Sequence, residues 1–172
     1  KLQGYFDMLG IPYNSANQKA SALTFDKWAC NQVLANNGIQ VSKSILINDR
    51  AALFNTKEIV AELRLPCFVK PNDGGSSFGI SKVKEEIQLI PAINRAFAEG
   101  NEVMIESFMD GKEVTCACYK LGNELFTLPL IEIVSENEFF DYEAKYEGLS
   151  QEICPARVSK EIKNAVQSLT KE

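Results

Sequence analysis

The segment 66–83 restricts the fold more than any other part of the chain. Its sequence, PCFVKPNDGGSSFGISKV, places a run of Asn, Asp, Gly and Ser between two short apolar stretches. Short apolar stretches bounded by turn residues are typical of buried strands. The segment therefore predicts a strand that ends near Lys70, a polar loop, and a second strand over 79–83.

The loop at 74–79, Gly-Gly-Ser-Ser-Phe-Gly, has a composition suited to an anion. Glycines allow several backbone N–H groups to point into one space, and serine hydroxyls add further donors. It is neither a dinucleotide-binding loop nor a Walker loop, because G-x-G-x-x-G is absent and no lysine directly follows the last glycine. A phosphate site and an unliganded hairpin loop both remain open from composition alone.

Two lysines are candidates for phosphate contacts. Lys70 follows the apolar stretch 67–69 directly before the loop, and Lys27 precedes Trp28 in a predicted helix. A lone lysine on a strand is more often an edge charge that faces water. The neighbouring loop makes a phosphate contact an equal alternative for Lys70, and Lys27 is either solvated or reaches a second phosphate.

Helical and strand-like periodicities alternate along the chain, which predicts an α+β or α/β fold. Helices are predicted over 2–9, from a Ser15–Gln18 capping box to Ala22, over 25–36, 56–63 and 85–98, and from Ser159. Strands are predicted over 43–47, 102–107, 112–120 and 124–134, with a loop over 135–156. The residues expected to face inward from the earlier helices are Phe25, Trp28, Ala29, Val33, Leu34, Ile59, Val60, Leu63, Ile87, Ile90, Ile93 and Phe97. The last helix has an apolar face formed by Ile162, Ala165, Val166 and Leu169.

Composition excludes several classes of site. The 172 residues include no histidine, which rules out histidine-ligated zinc, Ser-His-Asp triads and Cys-His dyads. A net charge of −5 argues against nucleic-acid binding, which requires clustered Lys and Arg. No apolar run reaches the roughly 18 to 20 residues of a membrane helix. With no C-x-x-C pair, we expect reduced core thiols in a cytoplasmic protein at Cys30, Cys67, Cys116, Cys118 and Cys154.

Two further segments contain residues suited to a nucleotide. Residues 106–109, Glu-Ser-Phe-Met, follow a predicted strand and precede Glu113. Backbone groups and apolar walls suit adenine, and a carboxylate suits ribose hydroxyls; a hairpin with solvated acids is the simpler alternative. The segment 139–146, FFDYEAKY, is too polar for a core and too aromatic for a linker. It indicates either a lid over a site or a self-packed surface loop.

Taken in order, these segments resemble the D-alanine–D-alanine ligases of the ATP-grasp superfamily. The resemblance covers nearly the whole chain, through LQGYFDMLGIPY (2–13), SALTFDKW (21–28), LPCFVKPNDGGSSFGISKV (65–83), EVMIESFMDGKEVT (102–115), LPLIEIV (128–134), FFDYEAKYEG (139–148) and ICPA (153–156). It implies an α+β ATP-grasp fold with the tail of an N-terminal substrate domain at 1–19, a small central domain at 20–105, and a partial C-terminal domain at 106–172.

The resemblance also implies an activity and its residues. Members of the family use ATP and Mg²⁺ to convert one D-alanine to an acyl phosphate, which the amine of a second D-alanine attacks; the dipeptide serves peptidoglycan synthesis. The implied catalytic pair is Ser76 and Tyr146. The implied nucleotide-binding residues are Lys27, Lys70, Gly75, Ser76, Ser77, Glu106, Ser107, Phe108, Met109, Glu113, Phe139 and Lys145.

Some expectations concern the chain as a whole. The family's metal ligands are expected beyond residue 172, so we expect the chain to be inactive alone and the apolar face of its last helix to be uncovered. The parent protein is expected to be a cytoplasmic homodimer that binds neither nucleic acid nor membrane. Gly74 and Phe78 depart from the residues common in the family. The alternative functions are another ATP-grasp carboxylate–amine ligase and a non-catalytic nucleotide-binding module.

Overall fold

A computed structural model of the chain describes residues 2–52, 54–135 and 150–172. The chain divides into two compact units, the first ending at Met109 and the second comprising Asp110–Glu172. The first unit contains α1 (Leu2–Leu9), α2 (Gln18–Phe25), α3 (Lys27–Asn36), β1 (Ser44–Ile47), α4 (Thr56–Leu63), β2 (Cys67–Pro71), β3 (Ser81–Val83), a 3₁₀ turn (Glu86–Gln88), α5 (Leu89–Glu99) and β4 (Val103–Ser107). The domain limits implied by the resemblance stay a prediction.

The strands of the first unit form one antiparallel sheet in the order β1–β4–β2–β3. Ile105 of β4 lies opposite Ile45 of β1 and Val69 of β2. The glycine loop joins β2 to β3, in which Phe68 lies opposite Lys82. The predicted strand, loop and strand are therefore confirmed.

The core of the first unit lies on one face of this sheet, against α4 and α5. Alternate residues of β2 point to it, so Cys67 and Val69 are fully buried while Phe68 and Lys70 are only partly buried. Full burial of a valine-sized or larger apolar side chain stabilises a fold by about 1.5–3 kcal/mol. The helices add Ile59, Leu63, Leu89, Ala92, Ile93, Ala96 and Phe97 to the same core.

Asn and Asp side chains begin three of the helices. The side-chain oxygens of Asn17, Asp26 and Asn55 accept hydrogen bonds from backbone N–H groups in the first turns of α2, α3 and α4. Each bond satisfies a donor that the helix leaves unpaired. The predicted Ser15–Gln18 capping box is wrong, because Asn17 takes the cap position with its Oδ1 2.9 Å from the nitrogen of Ala20.

The helix predicted over 25–36 begins later than expected. Phe25 is the last residue of α2, and Asp26 separates it from α3 with an extended backbone. Phe25 therefore does not share a face with Trp28. Both Phe25 and Val33, which were expected to face inward, are exposed.

The helix predicted over 85–98 is also divided. The 3₁₀ turn precedes α5, and this change of helical geometry turns Ile87 outward to 80% exposure. Ile90, at the start of α5, is 42% exposed, so the inward prediction is wrong for both residues. Pro91 is the third residue of α5, a position at which a backbone N–H has no partner within the helix.

The second unit is richer in strands than the sequence predicts. It contains β5 (Glu113–Thr115), β6 (Cys118–Leu121), β7 (Glu124–Thr127), β8 (Ile131–Ser135), β9 (Ser150–Ile153) and α6 (Lys160–Leu169). β5, β8 and β9 form one sheet in that order, and β6 and β7 form a separate hairpin. Both long predicted strands are divided, one of them around Pro129, which has no N–H for a strand ladder. β9 lies in the segment predicted as a loop.

The expected burial of the cysteines is correct only for Cys67. Cys118 and Cys154 are exposed, and Cys30 and Cys116 are half-buried. Cys118 is exposed because it lies in β6, whose four residues all face solvent. The core-thiol prediction is therefore wrong for Cys118 and Cys154.

The last helix begins as predicted at Ser159, whose hydroxyl oxygen accepts a hydrogen bond from the nitrogen of Ile162 at 3.3 Å. Ile162 and Leu169 of its apolar face are both exposed, as expected for an uncovered face. Among the described residues, no helix has the length and apolar character required to cross a membrane.

Glu132 of β8 has a buried carboxylate. It accepts hydrogen bonds from the backbone nitrogen, Nε and Nη2 of Arg157 at 2.9–3.0 Å, and Lys112 Nζ lies 3.5 Å away. Such two-pronged, charge-assisted bonds are strong and directional. The hydrogen bonds from Arg157 are the main cause that lowers the pKa of Glu132 to about 2. The pair fastens the segment that follows β9 to β8.

Arg157→Gln should make unfolding of the second unit less sensitive to acid. A carboxylate with a depressed folded pKa contributes stability above its unfolded pKa, here 4.5, and loses it as the pH falls towards about 2. Thermal unfolding is followed from neutral pH to about pH 2. The melting temperatures of wild type and variant should differ most at neutral pH and should converge at the acid end. Arg95→Gln, on an exposed part of α5, is the control. A difference in melting temperature that persists at about pH 2 would contradict the role assigned to the Glu132–Arg157 pair.

Candidate functional site

The face of the first sheet that points away from α4 and α5 carries several residues predicted for the site. Phe68 and Lys70 lie on this face because they alternate with the buried residues of β2. The register places Glu106 of β4 on one side of Phe68 and Lys82 of β3 on the other. These four residues define what we call the polar face.

Lys70 and Glu106 form an ion pair on the polar face. The Lys70 ammonium nitrogen lies 2.5 Å from Oε1 of Glu106, and the two side chains are 17% and 15% exposed. At such burial each charge needs the other, since removal of one partner leaves an uncompensated charge. Glu106 therefore holds the Lys70 ammonium at the end of β2, where the glycine loop begins.

Lys27, the first residue of α3, reaches the glycine loop with its ammonium group. It donates hydrogen bonds to the carbonyl oxygens of Pro71, Asn72 and Gly74 at 3.1–3.2 Å. Burial lowers the pKa of Lys27, and the positive charge of Lys70 lowers it further. The two predicted phosphate contacts thus lie close enough to repel each other at the start of the loop.

Asn72 is 1% exposed and connects three segments around Lys27. Its Oδ1 accepts a hydrogen bond from the nitrogen of Trp28 at 2.8 Å, and its Nδ2 donates to the carboxylates of Asp26 at 2.9 Å and Glu102 at 2.8 Å. Its carbonyl oxygen also accepts a bond from the backbone nitrogen of Lys27. The start of α3, the end of β2 and the residue before β4 are therefore held together by one side chain.

The glycine loop contains backbone strain. Ser76 and Ser77 have φ angles of 51° and 60°, a left-handed conformation that costs residues with a Cβ about 1–2 kcal/mol each. Gly79 is also left-handed, with φ at 71°, and a Cβ there would lie 2.9 Å from Glu99 and 3.0 Å from Pro71. Strain of this kind is concentrated at ligand-binding segments. The two serines expected to contact phosphate are the strained ones.

Ser107 and Phe108 use their backbone donors within the first unit. The N–H of Ser107 donates to the carbonyl of Lys43, and its hydroxyl donates to the carbonyl of Leu63, both at 2.9 Å. The N–H of Phe108 donates to the carbonyl of Pro66 at 3.3 Å. In this arrangement, the backbone groups that these two residues can offer to adenine are their carbonyl oxygens.

The other predicted residues have different locations. Met109 is the last residue of the first unit and is exposed, and Glu113 begins β5 of the second unit, where it is also exposed. Phe139, Lys145 and Tyr146 lie outside the residues that the structure describes. The structure thus brings together Lys27, Lys70, Glu106 and the glycine loop.

Sequence reasoning does not single out Asn72 or Lys82. Asn72 looks like an ordinary turn residue, since Asn is common in turns, and its partners Asp26 and Glu102 lie 46 and 30 positions away. Lys82 could have been found from the strand alternation, because a residue next to the buried Val83 must point to the opposite face.

Comparison with known proteins decides the family. The family model described as D-ala D-ala ligase C-terminus matches residues 33–172. The chain belongs to the D-alanine–D-alanine ligase family. The D-alanine–D-alanine ligases of Bacteroides fragilis and Phocaeicola vulgatus are 51% and 52% identical to it, over 99% and 98% of this chain and 52% of each relative. The chain spans about half the length of the curated relatives it matches.

Solved structures of this family share the fold. The VanG D-Ala:D-Ser ligase from Enterococcus faecalis has a TM-score of 0.86 and 39% identity, over 99% of this chain and 50% of that one. The D-alanine–D-alanine ligase from Bacillus anthracis has a TM-score of 0.81 and 33% identity, over 99% and 54%. The predicted α+β ATP-grasp fold is therefore confirmed.

Asn72→Ala should destabilise this family member by about 3 kcal/mol, because two carboxylates and the N–H of Trp28 lose a buried partner. Urea unfolding followed by the fluorescence of the single tryptophan, Trp28, measures the loss. Asn94→Ala, on the exposed side of α5, is the matched control and should stay within about 0.5 kcal/mol of wild type. Equal effects of the two substitutions would contradict the role assigned to Asn72.

Gly79→Ala should cost about 1–3 kcal/mol, because its left-handed backbone and its close neighbours both oppose a methyl group. Gly75→Ala in the same loop is the control: no atom lies within 4 Å of the added Cβ, and its φ is outside the left-handed range. The same unfolding measurement compares them. A Gly75→Ala variant as unstable as Gly79→Ala would show that the loop is sensitive for another reason.

Proposed function

We propose that the chain forms the ATP-binding half of an enzyme that joins two D-alanines to D-alanyl-D-alanine for peptidoglycan synthesis. Membership of the D-alanine–D-alanine ligase family supports the proposal. The observation that carries it is the Lys70–Glu106 pair beside the glycine loop. That pair provides an oriented cation next to backbone donors, which is the combination that a bound triphosphate requires.

Electrostatics supports a phosphate ligand at this place. The chain as a whole is acidic, with a net charge of −5, so attraction of ATP depends on local positive charge. Lys70 supplies it on the polar face, and Lys27 adds a second ammonium at the start of the loop. Backbone amides of 74–79 complete the proposed phosphate site, together with the side chains of Ser76 and Ser77. The N–H of Phe78 is not among these amides, because it donates to the carbonyl of Gly75 at 3.3 Å.

The proposed reaction transfers the γ-phosphoryl group of ATP to the carboxylate of the first D-alanine, with ADP as the leaving group. The amine of the second D-alanine attacks the resulting acyl phosphate, which forms the peptide bond and releases phosphate. Phosphoryl transfer depends mainly on positioning and charge neutralisation rather than on covalent chemistry by side chains. We assign charge neutralisation to Lys27, Lys70 and Lys145, and closure over the substrate to the pair Ser76 and Tyr146.

The adenine base is assigned to the end of β4. Glu106, Ser107, Phe108 and Met109 are the proposed adenine contacts, Glu113 is the proposed ribose contact, and Phe139 is a further proposed nucleotide-binding residue. Carbonyl oxygens suit the exocyclic amine of adenine, which is a donor. This agrees with the backbone of Ser107 and Phe108, whose N–H groups are already bonded.

Mg²⁺ is expected from the family, but the described part of the chain does not provide a site for it. Within 2–52, 54–135 and 150–172, no group of three or more Cys, Asp or Glu side chains could hold a metal ion. None of these residues is therefore assigned to Mg²⁺. We further propose, as the resemblance implies, a cytoplasmic homodimeric parent whose ligands are ATP and D-alanine.

Lys70→Ala should weaken ATP binding by about tenfold or more, on the order of 1.4 kcal/mol. The substitution removes a cation and also leaves the carboxylate of Glu106 facing the triphosphate. Isothermal titration of ATP into the chain, without and with Mg²⁺, measures the change. Lys57→Ala, on an exposed part of α4, is the control and should bind as wild type does.

Two outcomes oppose the proposal. A folded wild-type chain that gives no ATP binding would remove the nucleotide site, and equal losses in the Lys57 and Lys70 variants would show a non-specific charge effect. Assay of D-alanyl-D-alanine formation separates the functions that share this fold. ATP binding without D-alanine ligation by the full-length parent would favour another carboxylate–amine ligase or a non-catalytic nucleotide-binding module.

A further inference from the structure

Lys82 has an unusual position on the polar face. Its ammonium nitrogen lies 4.1 Å from the ring centroid of Phe108 and 6.0 Å from that of Phe68. The two rings lie 6.1 Å apart at an interplanar angle of 49°. A lysine ammonium within about 6 Å of an aromatic face is held by a cation–π attraction. Lys82 therefore contacts both aromatic rings at this end of the sheet.

Among the described residues, Lys82 has no partner in an ion pair. Within the described residues, no carboxylate lies within salt-bridge distance of Lys82, whereas Lys70 on the same face is paired with Glu106. The cation–π contact is thus the interaction that determines where the Lys82 ammonium lies. Its most direct effect is on the rings that it touches.

Phe108 is half-buried, and its ring contacts both Phe68 and Lys82. It follows the last residue of β4 and precedes the exposed Met109, so it is beyond the strand ladder. Its backbone is held by a hydrogen bond to the carbonyl of Pro66 at 3.3 Å, but such a bond does not set the side-chain rotamer. Lys82 covers the ring and holds it against Phe68.

Lys82 also links this ring to the glycine loop. β3 begins at Ser81, directly after the loop, and Lys82 is its second residue. The backbone of Lys82 is paired with β2 through Phe68, so its side chain projects from a strand that the loop itself positions. One residue therefore connects the proposed phosphate site with the proposed base site.

We propose that Lys82 is a positioning residue for nucleotide binding. It holds Phe108 and Phe68 as an aromatic wall for the purine base, and it does not contact the phosphates. The inference rests on the proposed function, since it assigns Lys82 to the base part of that site. It adds a residue to the polar face that the family resemblance does not supply.

The test separates the base part of the site from the phosphate part by using two probes. ATP and inorganic tripolyphosphate, which lacks base and ribose, are titrated into wild type, Lys82→Met and Lys82→Arg. Lys82→Met keeps an apolar stem of similar length and removes the charge, whereas Lys82→Arg keeps a cation that stacks on aromatic rings. We expect Lys82→Met to weaken ATP binding by about three- to tenfold and to leave tripolyphosphate binding within about twofold of wild type. Lys82→Arg should retain the binding of both ATP and tripolyphosphate.

A second measurement tests the route through Phe108. In a Phe108→Leu background the closer of the two cation–π contacts is already lost and only the 6.0 Å approach to Phe68 is left, so Lys82→Met should change ATP affinity by less than about twofold. Lys57→Met is the control for removal of a lysine charge elsewhere in the first unit. A Lys82→Met variant that merely misfolds would lose tripolyphosphate binding as well, which separates a structural role from a positioning role.

Each contrary result has a distinct meaning. Unchanged ATP affinity in Lys82→Met, or an equal loss of affinity for ATP and for tripolyphosphate, overturns the inference. The proposed function stays intact in that case if Lys70→Ala still weakens the binding of both probes. The same loss in the Phe108→Leu background also overturns it, because Lys82 would then act without the ring. A folded wild-type chain that binds neither probe overturns the proposed function and this inference together.

Discussion

The buried side chain of Asn72 determines where the parts of the candidate site lie relative to one another. Its amide group joins Asp26 and Trp28 at the start of α3 to Glu102 before β4, and its own backbone follows β2 directly. A buried amide whose donors and acceptor are all bonded is highly directional, because any rotation leaves a polar group unpaired. Lys27 follows Asp26 directly, so the same junction brings its ammonium to the glycine loop.

Strand alternation places the core residues of the sheet and the residues proposed for binding on opposite faces. On β2, Cys67 and Val69 point into the core, while Phe68 and Lys70 point to the polar face. Residues that bind a ligand can therefore be charged without placing a charge among the core side chains. The strained glycine loop follows the same strand, so a rigid, well-packed element carries the segment in which Ser76 and Ser77 adopt an unfavourable conformation.

Local patterns predicted the parts of the fold that depend on neighbouring residues. The helix over 56–63 follows from the spacing of Ile59 and Leu63, and the strand, loop and strand over 66–83 follow from apolar stretches around glycines. Local patterns do not decide between two nearby residues that both suit the start of a helix. Ser15 and Asn17 are such a pair, and the three-dimensional structure shows that Asn17 caps α2.

Long-range pairing could not be predicted in the same way. Glu132 is buried because Arg157, 25 positions later, satisfies both of its oxygens, and the bonding of Asn72 depends on residues even farther away. The family resemblance predicts which residues surround a nucleotide, and that assignment stays a prediction. It did not reveal that Lys27 and Lys70 already have internal partners, since that depends on backbone carbonyls and on the register between β2 and β4.

Those internal partners determine the order in which the two lysines can engage an anion. An ammonium group has three donors. All three N–H groups of Lys27 are accounted for by carbonyl oxygens, whereas the described hydrogen bonds of Lys70 use one, to Glu106. Lys70 can therefore bridge Glu106 and a phosphate without breaking a bond, but Lys27 must first release a carbonyl of the loop. A phosphate at Lys70 would therefore meet donors that the described hydrogen bonds leave available, whereas a phosphate at Lys27 would compete with carbonyl oxygens at the start of the loop.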